Sequence, residues 1–150
     1  MSTVRGVLEL KQKLGRQGWK ETLPLDQTFN LTSNTWSQIM ALLADSVNAV
    51  FGEYLAVSWP TLINNYMREY YESADGTTRL TLDYKLTTYN QRLSSQPNLR
   101  FQTPSLNIII IEIKSNIHNS MRLADLLARF PLRVERYSKY VEAMNAISGW

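Results

Sequence analysis

The sequence contains no cysteine and a single histidine in 150 residues. No disulfide, thiolate nucleophile or cysteine-ligated zinc can therefore form, and one histidine makes a poor transition-metal site. Long hydrophobic runs are also lacking. The four isoleucines Ile108 to Ile111 fall far short of the roughly 20 residues that cross a bilayer. The start, MSTVRGVLELKQK, has neither the apolar core of a signal peptide nor that of a membrane span. There is no glycine-rich phosphate loop, so phosphate binding would have to come mainly from side chains. Repeats, low-complexity tracts and a clear linker are likewise absent. What remains is a chain 44% hydrophobic and 19% charged. That composition reads as one globular domain with a modest core. Its net charge of +3 leans towards anionic partners. A reducing compartment is compatible with it, and the cytoplasm is the expected location.

Residues 4–13 alternate as a strand, with Leu8 and Leu10 on one face and Glu9, Lys11 and Lys13 on the other. Gly15 and Gly18 bracket a turn, and residues 19–25 return as a second strand. Thr35-Trp36-Ser37-Gln38 has the form of a capping box. Behind it Trp36, Ile39, Met40, Leu43, Val47, Val50 and Phe51 predict one helix ending near Gly52. After Trp59-Pro60 the period becomes two. Residues 62–71 and 78–86 form a hairpin around Ala74-Asp75-Gly76, residues 93–104 a loop, and residues 106–114 another strand. Two short helices, over residues 121–130 and 138–147, flank Pro131. Strands, helix, strands and helices in that order predict an α+β fold with an antiparallel sheet.

Residues two apart on a strand share a face. Four strands thereby carry polar rows: Glu9, Lys11 and Lys13; Asn64, Tyr66, Arg68 and Tyr70; Arg79, Thr81, Asp83 and Lys85; Glu112 and Lys114 behind Ile108 and Ile110. One reading is a sheet with an ordinary solvated face. The other brings the rows together as a basic groove or tunnel. Its cations would neutralise a polyanion, while a carboxylate would hold a divalent metal that bridges phosphate oxygens. Elsewhere, His118 reads as an exposed loop residue and Arg129, Arg133 and Arg136 as a solvated face. Tyr66, Tyr70, Tyr71, Tyr84 and Tyr89 read as packing aromatics. Ser138 has no His-Asp pair in sight and reads as an N-cap that aims Lys139.

Glu112-Ile113-Lys114 supports two functional readings. As E-x-K after an apolar strand, it matches the second half of the metal-dependent nuclease motif PD-(D/E)xK. That motif also needs an acidic residue on a preceding strand, and Asp83, with no proline before it, is the only candidate.

The second reading uses more of the chain. Tyr66-Met67-Arg68, Arg79-Leu80-Thr81-Leu82-Asp83, Glu112-Ile113-Lys114 and Ser138-Lys139-Tyr140 occur in that order, after Trp59-Pro60. Upstream lie Leu8-Glu9-Leu10-Lys11-Gln12-Lys13 and Lys20. This succession resembles the VTC domain, the polyphosphate polymerase branch of the triphosphate tunnel metalloenzymes. The resemblance implies a partial antiparallel β-barrel of the triphosphate-tunnel type with helices at its ends. It implies transfer of the terminal phosphoryl group of ATP to polyphosphate. Lys11, Arg68, Arg79 and Lys139 would be the catalytic cations. Lys13, Lys20, Tyr66, Lys85, Lys114 and Ser138 would bind substrate, and Glu112 and Glu9 would hold Mn²⁺ or Mg²⁺. The partners implied are ATP or triphosphate and polyphosphate, without nucleic acid or a membrane span. The family's earlier strands, with an R-x-R pair, have no counterpart here beyond Val4-Arg5-Gly6. The chain thus resembles the latter two-thirds of one domain, with strand edges open to self-association. The isolated chain is expected to make no polyphosphate, and a non-catalytic polyphosphate-binding module is the alternative within this reading.

Overall fold

The computed structural model describes residues 3–14, 17–104, 107–115, 120–135 and 137–148. Gly15, Leu106, His118 and Arg136, which figured in the expectations above, lie outside them. The described residues form an α+β fold with two antiparallel sheets. The strands occur as a pair and a triplet, with no closed barrel among the described residues. The chain divides into two compact units, residues 1–61 with 90–99 and residues 62–89 with 100–150.

The first unit begins with β1 (Thr3–Leu14) and β2 (Gln17–Asn30), paired antiparallel. Arg5 faces Thr28, but Val7 faces Pro24, so β2 carries extra residues at that point. Proline has no N–H for a ladder, and such an irregularity tolerates it. The strand therefore continues past residue 25, where the Asp26-Gln27 pair had hidden its alternation.

The expected capping box is present. Thr35 Oγ1 accepts from the Gln38 amide at 3.2 Å, and Gln38 Oε1 accepts from the Thr35 amide at 2.8 Å. It opens α1 (Trp36–Ser46). The single helix predicted through Phe51 is in fact two, because Asn48 restarts the chain as the N-cap of α2 (Ala49–Ala56). Its side chain accepts from the Phe51 amide at 3.1 Å. Asparagine favours this capping role over a helix interior. Leu25, Phe29, Trp36, Ile39 and Phe51 supply the buried apolar side chains of this unit.

The second unit holds β3 (Leu62–Glu72), β4 (Thr78–Asn90) and β5 (Ile110–Ser115), in the spatial order β3-β4-β5. The turn between β3 and β4 needs Gly76, whose φ is +67°. Asp75 Oδ1 steadies that turn by accepting from the Ser73 and Thr77 hydroxyls. In β5 the strand begins at Ile110, four residues later than expected. The unit ends with α3 (Ser120–Arg129) and α4 (Lys139–Ser148), and α4 packs against β3.

One expected face changes within β4. Glu72 meets Arg79 and Arg68 meets Asp83, whereas Asn64 meets Thr88, one residue later than that spacing predicts. Lys85 lies between these contacts with φ +53°, a backbone region that residues other than glycine seldom adopt. The extra residue moves the buried positions from Thr81 and Asp83 to Thr88. Lys85 is exposed and does not continue the row of Arg79, Thr81 and Asp83.

No helix among the described residues is long and apolar enough to cross a membrane.

Candidate functional site

The period-two pattern of β3 places Tyr66, Arg68 and Tyr70 on one face. The guanidinium of Arg68 lies 5.1 Å from the centre of the Tyr66 ring and 5.7 Å from that of Tyr70. It also forks onto Asp83 of β4, with Nε donating to Oδ1 at 2.5 Å and Nη2 to Oδ2 at 2.6 Å. This geometry uses two of its five N–H donors.

Asp83 is only 1% exposed. Its burial is compensated from a second side by Lys139, whose Nζ lies 2.5 Å from Oδ2 and 5.0 Å from the centre of the Tyr66 ring. Lys139 is the first residue of α4. Ser138 sets that helix start, its Oγ accepting from the Val141 amide at 3.4 Å, as the N-cap reading expected. Hydrogen bonding from Arg68, helped by Lys139, outweighs desolvation and holds the Asp83 carboxyl below the usual carboxylate range. In return, Asp83 pushes the Arg68 guanidinium further above its ordinary value.

Beside this buried group the three strands form a cleft of about 150 Å³ lined by Arg68, Tyr70, Arg79, Thr81, Glu112 and Lys114. Register builds it: Arg79 pairs with Lys114, and Thr81 with Glu112. Glu112 lies 3.2 Å from Lys114 Nζ, and Arg79 lies 3.9 Å from Glu72. Three cations against one carboxylate give the lining a positive balance.

The opposite side of β5 explains why so apolar a strand carries two charges. An apolar cavity of about 540 Å³ is lined there by residues including Ile111, Ile113, Leu123, Leu127 and Phe130. Within β5, Ile111 and Ile113 thus meet an apolar surface while Glu112 and Lys114 meet the cleft; Ile108 and Ile110, which alternation places on the charged row, line the apolar cavity as well. On the other face of β3, Glu69 accepts from the Tyr71 and Tyr84 hydroxyls at 2.5 and 2.9 Å, which lowers its pKa and raises theirs.

In the first unit Lys11 pairs directly with Lys20 across the sheet. Glu9 relieves that like-charge contact, its carboxylate lying 3.4 Å from Lys11 Nζ and 3.1 Å from Lys20 Nζ. The two ammonium groups, Lys20 first, lower the Glu9 pKa. A metal at Glu9 would compete with both ion pairs. Lys13 is exposed opposite Gly18.

No group of three potential acidic, histidine or cysteine metal ligands occurs among the described residues. Glu112 is the carboxylate in the cleft. One carboxylate fits Mg²⁺ or Mn²⁺ held jointly with phosphate oxygens and water, but not a cage built wholly from protein.

The VTC domain family matches residues 2–148. This chain belongs to that family. No curated protein and no solved structure matches the chain. Of the motifs that carried the resemblance, Tyr-x-Arg and Ser-Lys-Tyr converge on Asp83, the last residue of the Arg79–Asp83 stretch. Arg79 and Glu-x-Lys, together with Arg68, line the cleft. Sequence reasoning did not assign Asp83 to the phosphate site, nor did it single out Thr81 or Tyr70. The available signal for Asp83 was an acidic residue recurring at the same period as Arg79 on a basic row.

Proposed function

We propose that the cleft of the second unit binds the phosphoryl groups of a triphosphate or polyphosphate chain. The observation that carries this reading is the convergence of Arg68, Arg79 and Lys114 on one small cavity of positive balance. Arg68 is held in place by Asp83, so its ordering cost is met before a ligand arrives. The volume of about 150 Å³ lies below the roughly 300–1,000 Å³ typical of pockets that enclose a drug-sized ligand. It suits phosphoryl groups rather than a whole nucleotide.

Family membership makes transfer of the terminal phosphoryl group of ATP to polyphosphate the reaction class proposed. The chain's own part is charge neutralisation and positioning, which dominate phosphoryl transfer. Arg68, Arg79 and Lys114 would hold phosphate oxygens. Lys139 would keep Asp83 compensated and, through Asp83, the Arg68 fork in place. Glu112 would hold Mn²⁺ or Mg²⁺, which when bound supplies charge neutralisation to the phosphates. The tunnel-type barrel is the family architecture proposed for the whole domain.

The nuclease alternative is weakened by Asp83. A metal nuclease would need this carboxylate free beside Glu112, but both its oxygens are engaged by Arg68 and Lys139. In the β4–β5 register it faces Ile110, and Thr81 faces Glu112.

Calorimetric titration with tripolyphosphate, with and without Mn²⁺, tests the proposal. Saturable binding that strengthens with Mn²⁺ is expected, together with loss of that metal effect in Glu112→Gln. Duplex DNA plus Mn²⁺ should stay uncut. Absence of tripolyphosphate binding, or cleavage of the DNA, would refute the reading.

A further inference from the structure

β5 is the outer strand of its sheet. One edge pairs with β4, and among the described residues no strand pairs with the other. Natural sheets blunt such an edge with proline, a bulge or rows of charge. β2 carries Pro24 beside a register irregularity. β5 has no proline, and its register with β4 is unbroken from Ile110 to Ser115. The apolar cavity of about 540 Å³ follows this strand. Ile110 and Ile111 point to opposite sides of the strand, yet both line the cavity, so it runs along the edge as well as over one face. Ile109, just ahead of the strand, is 68% exposed, and Leu132 and Val134 of the same lining are exposed too. Contiguous apolar surface of this kind marks an interaction site.

Charge indicates the occupant. Directly opposed residues of an antiparallel pair lie on one face. A second β5 can therefore meet this edge only in registers two residues apart. One of them sets Glu112 opposite Glu112, and another sets Lys114 opposite Lys114. The register between these, centred on Ile113, sets Glu112 opposite Lys114 twice. It also places Ile113 against Ile113 and Ile111 against Ser115. Both charged side chains are accessible for the exchange, Glu112 at 44% and Lys114 at 69% exposure. Their contact of 3.2 Å within one strand gives way to two contacts across strands.

We infer that the outer edge of β5 is a self-association surface, on which a second copy of this chain pairs antiparallel, β5 to β5, in the register centred on Ile113. The two-fold arrangement closes with two copies. It joins two three-stranded sheets into one of six strands and leaves β5 without an open edge. Main-chain hydrogen bonds supply the attraction, and the opposed side chains fix the register. Each cleft gains Lys114 of the second copy opposite its own Glu112. The inference does not depend on what the cleft binds.

Sedimentation equilibrium of the whole chain over a wide range of concentration tests it. A monomer–dimer equilibrium is expected, without larger species. Glu112→Lys and Lys114→Glu should each weaken dimerisation by about tenfold or more, because each turns two attractive cross-strand pairs into repulsive ones. An equimolar mixture of the two variants should recover dimers, since one chain then presents two lysines to two glutamates. Circular dichroism checks that each variant is folded. Ile109→Lys, at an exposed position outside β5, provides a second route and should also weaken the dimer. A chain that stays monomeric at every concentration overturns the inference. Association beyond the dimer overturns it as well, since it requires another edge. So does undiminished dimerisation in the folded charge variants or in Ile109→Lys, or a mixture that fails to recover dimers.

Discussion

Asp83→Asn is expected to lower the melting temperature of the chain by roughly 5–10 °C at pH 7, and by less at pH 3. The substitution keeps the shape but leaves Arg68 and Lys139, each about three-quarters buried, without their counter-charge. Breaking a buried pair from one side costs about 3–5 kcal/mol. The lower end applies here, because both cations retain some access to water. For a chain of this length, about 1 kcal/mol corresponds to roughly 2–4 °C.

The pH dependence follows from the direction of the Asp83 shift. Its folded pKa is depressed, so the unfolded chain takes up the proton first as pH falls. The stabilisation is complete above the ordinary carboxylate range, and it is lost as pH drops through that range towards the depressed folded value. Protonated Asp83 then resembles the asparagine that replaces it. Glu9 and Glu69 also have lowered pKa values, but they titrate alike in both proteins. The difference between the two melting curves therefore isolates Asp83. A difference that stays constant from pH 7 to pH 3 would mean that the carboxylate charge is not what holds Arg68 and Lys139.

Arg68→Ala should reduce tripolyphosphate affinity by about thirtyfold, within the range of one lost charge-assisted contact. It should also destabilise the second unit, because Asp83 is left buried with Lys139 as its remaining cation. Arg68→Lys separates the two effects. It restores a charge near Asp83 but cannot reproduce the planar fork. Its affinity and melting temperature should fall between those of Arg68→Ala and the unaltered chain. Calorimetry and thermal melting on the same samples check both. A folded Arg68→Ala with unchanged affinity would remove Arg68 from the phosphate site.

The polar rows were legible because strands alternate with period two, and Arg68, Arg79, Glu112 and Lys114 needed only that rule. The capping box at Thr35 and the cap at Ser138 were equally local. Where the reading failed, the cause was non-local or conformational. Lys85 leaves its row because the backbone takes a positive φ at a residue with no glycine to announce it. The helix broke at Asn48 although its hydrophobic spacing continued to Phe51, since a side-chain cap outweighed periodicity there. In the sequence Asp83 was one charge on a polar row and the only acidic candidate for the nuclease motif. Its burial depends on Arg68, 15 residues earlier, and on Lys139, on a helix far along the chain.

The most direct measurement is the tripolyphosphate affinity of Arg79→Ala relative to the unaltered chain, at low and moderate salt. Arg79 is 58% exposed, with one long ion pair to Glu72, so its removal should leave the fold intact. The account predicts an affinity loss of about tenfold at low salt, narrowing as salt screens the cleft, with an unchanged melting temperature. Equal affinities for the two proteins at both salt concentrations would contradict it.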